Sequence, residues 1–189
     1  MESSEQAMPG KTQPISPAVA RLVDLANLAA VCDLTPALVT SCAEAARVAL
    51  SSMSHPAPPP LTQAELHYQD KVTLIQLLWT MPDRMVLSSY GNDLDATEYG
   101  AYAIAIGAVR FLSKRYRVIG RAQQGSGADF LMVAEGEPEE NYVKLEVSGT
   151  RSEQQEVRRI KEKTKQVKSG IAVVVNFEKP RVLAREEIR

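Results

Sequence analysis

Three carboxylates and one lysine, distant in the chain, are the residues whose types could act together: Glu98, Asp129, Glu146 and Lys144. Along a strand over 142–148 successive side chains take opposite faces, so Lys144, Glu146 and Ser148 share one face and Val143, Leu145 and Val147 the other. Asp129 follows the Gly125-Ser-Gly127 turn at the entrance to a strand over 129–134, where a hairpin can bring it beside Glu146. Two carboxylates facing each other across strands repel unless a proton or cation compensates, and oxygen ligands of that kind suit a hard divalent ion. Glu98 adds a third oxygen donor from the first turn of a helix, with Ala101, Tyr102 and Ala105 following at i+3, i+4 and i+7. Mg2+ or Mn2+ held by Glu98, Asp129 and Glu146 would activate water and neutralise charge on a phosphodiester, with Lys144 assisting at the phosphate or the water. That is the chemistry of a metal-dependent nuclease acting on DNA or RNA. The same spacing is compatible with an internal Lys144–Glu146 ion pair beside a solvent-facing Asp129.

Two basic clusters accompany these residues. Arg110, Lys114, Arg115, Arg117 and Arg121 follow the helix that carries Glu98, and Arg158, Lys161, Lys165 and Lys168 form a helical stripe. Arg115, Arg117, Arg121, Arg158, Lys161 and Lys165 are the expected contacts to backbone phosphates. A solvated helix face balanced by Glu156 and Glu162 is the other reading of the stripe. One tryptophan and three phenylalanines leave no aromatic ladder for unpaired bases. The Gly125–Asp129 segment lacks the lysine and length of a Walker A loop, and neither His55 nor His67 stands where Ser148 would need a base. Cys32, Cys42 and Trp79 fit helix-core packing.

The elements that must position these groups follow from periodicity and punctuation. Residues 1–14 read as a flexible leader and 15–82 as a helical region: one helix opening at Ser16-Pro17 and running to 31, a second after Thr35-Pro36, and a third over 66–79 behind the capping box Thr62-Gln-Ala-Glu65. The proline run 56–60 separates the second from the third. A helix capped by Asp93 or Asp95 is expected to about 115, then strands over 116–120, 129–134 and 142–148, an amphipathic helix over 153–168 and a strand over 171–177. Residues 179–189 read as a peripheral tail.

With 189 residues, 44% of them hydrophobic and 24% charged, the composition suits one globular domain and excludes an intrinsically disordered chain. The net charge of -1 hides a split. Residues 1–140 carry 10 basic and 16 acidic side chains, a net of -6, and residues 141–189 carry 12 and 7, a net of +5. Two cysteines without a framework suggest thiols in a reducing cytoplasmic setting, and neither a signal-peptide h-region nor an 18-residue apolar run is expected.

The order helix, three strands, helix, strand over 94–178, with Glu98, Asp129 and Glu146 at the corresponding places, resembles the restriction-endonuclease-like or PD-(D/E)XK nuclease superfamily. The resemblance implies an α/β fold with an αβββαβ core, a mixed central sheet and an added N-terminal helical region. It also implies that the three carboxylates bind metal. The E-x-K tripeptide of that superfamily corresponds here to Glu146-Val147-Ser148, so Ser148 stands where a lysine is expected. Lys144 can replace it from the same strand, or Lys161, Lys163 or Lys165 from the following helix. Without any such lysine the fold would bind nucleic acid or a protein, or form a homodimer through the N-terminal helices, and would not cut.

Overall fold

The computed structural model describes residues 21–57 and 61–187. The expected leader, the Ser16-Pro17 helix start and Pro58–Pro60 lie outside the described residues. Among those described, four α-helices and eight strands form a mixed α/β fold around one sheet. The strands are β1 (Leu22–Asp24), β2 (Thr62–Tyr68), β3 (Lys71–Leu78), β4 (Tyr116–Arg121), β5 (Phe130–Ala134), β6 (Val143–Thr150), β7 (Gly170–Asn176) and β8 (Arg181–Glu187). The helices are α1 (Pro36–Ser52), α2 (Arg84–Ser89), α3 (Asp93–Ala108) and α4 (Glu153–Val167). Sheet order is β1-β3-β2-β8-β7-β6-β5-β4. The β1–β3, β2–β8 and β6–β7 pairs are parallel and the rest antiparallel. Residues of β3 and of the edge strand β4 line one groove, so the sheet curls.

The segment from α3 to β7 follows the expected order. The Asn92 side chain caps α3 by accepting the Leu94 N–H at 2.9 Å, and Asp93 and Asp95 place negative charge at its positive end. All seven residues of β7 are buried, as a strand covered on both faces requires. One face, carrying Leu145, Val147, Ile171, Val173 and Val175, packs beneath α1 and α3 in the main core. The other face carries Ala172 and Val174, which α4 covers with Ile160 and Val167.

The N-terminal half departs from expectation. The helix expected over 66–79 is a hairpin: Thr62, Ala64, Leu66 and Tyr68 are buried in alternation with Gln63, Glu65 and His67, a period of two. Its turn is tight enough that Gln69 takes a φ of 55°. Thr62 caps no helix; its hydroxyl accepts the Trp79 indole N–H at 2.9 Å and donates to the Pro56 carbonyl oxygen at 3.1 Å. Trp79 is buried, as expected. The first helix is replaced by β1 and a 3-10 turn, Leu25–Val31, which Asp24 caps. The tail is not peripheral. Strand β8 lies between β2 and β7 near the middle of the sheet, with Val182 and Ala184 in the core, because its alternating apolar residues match the registers of both neighbours.

Two contacts hold α3 against β6. A Cβ at Gly149 would run into the carbonyl oxygen of Thr97, so only glycine lets the helix lie this close. Arg151 then donates to the Thr97 hydroxyl at 2.9 Å and the Ser52 hydroxyl at 2.9 Å, and pairs with Asp93 at 2.7 Å, tying α1, α3 and the end of β6 together. No helix among the described residues is long and apolar enough to cross a membrane.

Candidate active site

Asp129 precedes β5, and β6 runs on beyond it. The Asp129 N–H donates to the Leu145 carbonyl oxygen at 2.9 Å, and its Oδ2 accepts the Val147 N–H at 2.8 Å, so the carboxylate extends the ladder with β6. The φ of 73° at Gly127 makes the preceding turn, and a Cβ there would come within 2.6 Å of the Gln166 carbonyl oxygen at the end of α4. The turn is thus wedged against that helix, and Asp129 is set at the gap where the sheet narrows.

The two faces of the sheet supply different partners. From the α3 side the Tyr102 hydroxyl donates to Asp129 Oδ1 at 2.8 Å and lies 3.2 Å from Glu98 Oε1. From the α4 side comes Glu146, only 4% exposed, whose Oε1 accepts the Lys163 ammonium at 2.5 Å. The Asp129 carboxylate, bound to the N–H of the residue after Glu146, lies near enough for its charge to act on that glutamate. Burial raises the Glu146 carboxyl above the usual glutamate range; the Lys163 hydrogen bond and charge pull it back, and the charge of Asp129 pushes it up again. Burial, followed by the charges of Asp129 and Glu98, raises the Tyr102 phenol as well.

The expected residues therefore divide. Asp129 and Glu146 lie close together. Glu98 is exposed and reaches Asp129 only through the Tyr102 hydroxyl, because α3 covers the face opposite to the one Glu146 occupies. Among the described residues no group of three or more His, Cys, Asp or Glu side chains is arranged to hold a metal ion. Lys144 turns away from Glu146 and donates to the Ser126 carbonyl oxygen at 3.1 Å. Residues two apart on a strand stand about 6.6 Å apart, so sharing a face does not make them touch. The amine beside Glu146 is Lys163, and Arg159, one turn earlier on α4, donates to Ser148 Oγ at 3.0 Å.

The expected phosphate contacts divide too. Arg121 lies at the site end of β4, its guanidinium carbon 5.2 Å from the Tyr102 ring centroid and 4.7 Å from that of Phe130. Arg115 and Arg117 lie at the other end of that strand, paired with Glu135 and Asp33. At about 100° per residue, Arg158, Lys161 and Lys165 point to the side of α4 opposite Lys163, where all three are exposed and Arg158 pairs with Glu162. A groove of about 1380 Å³, between β3 and residues 110–117, is also remote from the carboxylates.

The sequence offered signals for what reasoning from spacing passed over. Tyr102 stands four residues after Glu98, one turn of helix on. Glu156, Arg159, Ile160, Lys163 and Val167 form a single stripe on α4, so Lys163 shares its inward face with buried residues. No protein-family model, curated protein or solved structure matches the chain. Its own side-chain chemistry carries the functional reading.

Proposed function

We propose that this protein is a divalent-metal-dependent nuclease with a restriction-endonuclease-like core. The observation that carries the reading is the Asp129–Glu146 carboxylate pair with the Lys163 ammonium on Glu146. Supporting it are the element order α3-β4-β5-β6-α4-β7 and the mixed sheet. Ser148 leaves the E-x-K position without a cation, and Lys163 supplies one from the following helix.

The donor set fits a hard cation: two carboxylates near enough for their charges to act on each other, one of them buried and raised, are the arrangement that Mg2+ or Mn2+ relieves. Asp129 and Glu146 would hold the ion, and it would supply Lewis acidity and a lowered pKa for water. Lys163 neutralises Glu146 and presents an ammonium to phosphate oxygens. Tyr102 fixes the Asp129 rotamer, and Glu98, exposed beside it, is placed to accept a hydrogen bond from water.

Plasmid, linear duplex, single-stranded DNA and RNA incubated with Mg2+ or Mn2+ test the reading. Cleavage is expected, and its loss in Asp129→Ala and Glu146→Ala; cleavage that survives both substitutions removes the assignment. A second reading, a nuclease-fold protein that binds nucleic acid without cutting, is favoured by one observation: Lys163 already occupies Glu146 Oε1, and both Asp129 oxygens already accept hydrogen bonds. Nucleic-acid binding without hydrolysis under every metal would select it.

A further inference from the structure

Strand β4 contains one residue too many for β5. Tyr116, Arg117 and Val118 pair with Ala134, Val133 and Met132, but Gly120 and Arg121 pair with Leu131 and Phe130, so Ile119 is a bulge. Without it, alternation would put Arg121 on the same face as Arg117. With it, Arg121 takes the face of Phe130 and Met132, both buried in the main core. The bulge re-aims one side chain, and that side chain arrives over Phe130 and Tyr102.

Tyr102 is the residue whose hydroxyl touches Asp129 and Glu98, so Arg121 is held at the rim of the carboxylate site. Arginine beside acidic residues normally pairs with one of them. Among the described residues Arg121 pairs with none: its guanidinium lies over two aromatic rings, and the residue is exposed. The two rings stand at 87° to each other, so the guanidinium can stack on only one of them; among the described residues its N–H groups donate to no acceptor, and their fork matches two oxygens of a phosphate.

We propose that Arg121 is a positioning residue that holds a backbone phosphate of the nucleic acid next to the one being cut, setting the strand's register over Asp129 and Glu146. The inference rests on the nucleic-acid reading of the site and adds to it a specific anchor and the strand feature that builds it.

The test compares the wild type with Arg121→Gln, Arg121→Lys and Lys71→Gln, the last removing an exposed charge on the β2–β3 turn. Binding of labelled 20-nucleotide duplex and single-stranded DNA is measured in EDTA over a salt series, and kcat and KM are measured with Mn2+. Arg121→Gln is expected to raise Kd and KM about tenfold and to flatten the slope of log K against log salt by about 0.9 for duplex or 0.7 for single strands. Arg121→Lys, which keeps charge but not the fork, should retain the slope and recover only part of the affinity. Lys71→Gln should match the wild type. An Arg121→Gln protein that melts earlier but keeps the wild-type Kd, KM and salt slope has lost only packing, and overturns the proposal while leaving the nuclease reading intact. A wild type that neither binds nor cuts any nucleic acid overturns both.

Discussion

Replacing Lys163 by methionine should destabilise the protein in a way that depends on pH. Lys163 and Glu146 have side chains 25% and 5% exposed, so the glutamate is the buried partner. Removing one member of a buried pair costs roughly 3–5 kcal/mol when the other must stay charged. Glu146 has an escape, since it can take up a proton. From the ordinary glutamate value of 4.5 to pH 7 is about 2.5 units at about 1.4 kcal/mol each, a ceiling of about 3.5 kcal/mol. Burial already holds Glu146 above that ordinary value, so the expected loss is about 1–3 kcal/mol, or roughly 3–10 °C in Tm for a domain of this size. In the variant the folded-state pKa rises further above the unfolded one, so the native protein binds a proton that the unfolded chain has released. Stability is then greatest below the unfolded value and is lost as pH rises through the folded one. Thermal unfolding of wild type, Lys163→Met, Glu146→Gln and the double variant at pH 5 and pH 7 measures this. The Lys163→Met deficit should be larger at pH 7, and Glu146→Gln in that background should recover most of it. An equal deficit at both pH values, or a double variant as unstable as Lys163→Met, would refute the assignment of Lys163 as the compensating charge.

Further outcomes follow from the same geometry. Millimolar Mn2+ should raise the wild-type Tm more at pH 7.5 than at pH 5, because Glu146 ionises above the usual range, and should not raise that of Asp129→Ala. Tyr102→Phe keeps the ring beneath Arg121 but removes the donor to Asp129, an expected loss of about 1 kcal/mol read by denaturant unfolding. Gly149→Ala should lower Tm far more than Gly120→Ala, since a Cβ meets the Thr97 carbonyl in the first and nothing within 4 Å in the second. The fully buried Cys42 thiol, raised by burial to about 11, should react with a disulfide reagent at pH 8 only as fast as the protein unfolds.

How much of this was legible depended on whether the signal was local. The segment from α3 to β7 could be read because its strands are bounded by glycine turns and its helices open on acidic first turns, although the cap of α3 is Asn92 and not the expected Asp93 or Asp95. The hairpin at 62–78 misled because Thr62 and Glu65 stand at capping-box spacing, while the alternation of Ala64, Leu66 and Tyr68 carried the stronger, opposite message. Strand β8 was illegible for a different reason: seven residues after Pro180 say little until β2 and β7 are known to be waiting on either side. In the site, strand parity correctly grouped Lys144, Glu146 and Ser148 but could not tell which lysine would touch the glutamate. The sheet face decided that, by turning Glu146 toward α4. Glu98 was drawn toward the carboxylate pair by element order, yet the side of the sheet that a helix covers is a tertiary fact.

The central position of β8 bears on how the chain assembles during synthesis. Among the described residues the β1-β3-β2 group and the β7-β6-β5-β4 group share no strand pairing of their own, and within the sheet residues 181–187 join them. The β1-β3-β2 group is complete by residue 78 and can zip up early, whereas the half bearing Asp129 and Glu146 is complete only at residue 176; both keep an open hydrogen-bonding edge until β8 emerges. Nascent chains stalled before residue 181 are therefore the species most prone to exchange strands with one another, and a chaperone that shields β2 or β7 would act on them before any other surface.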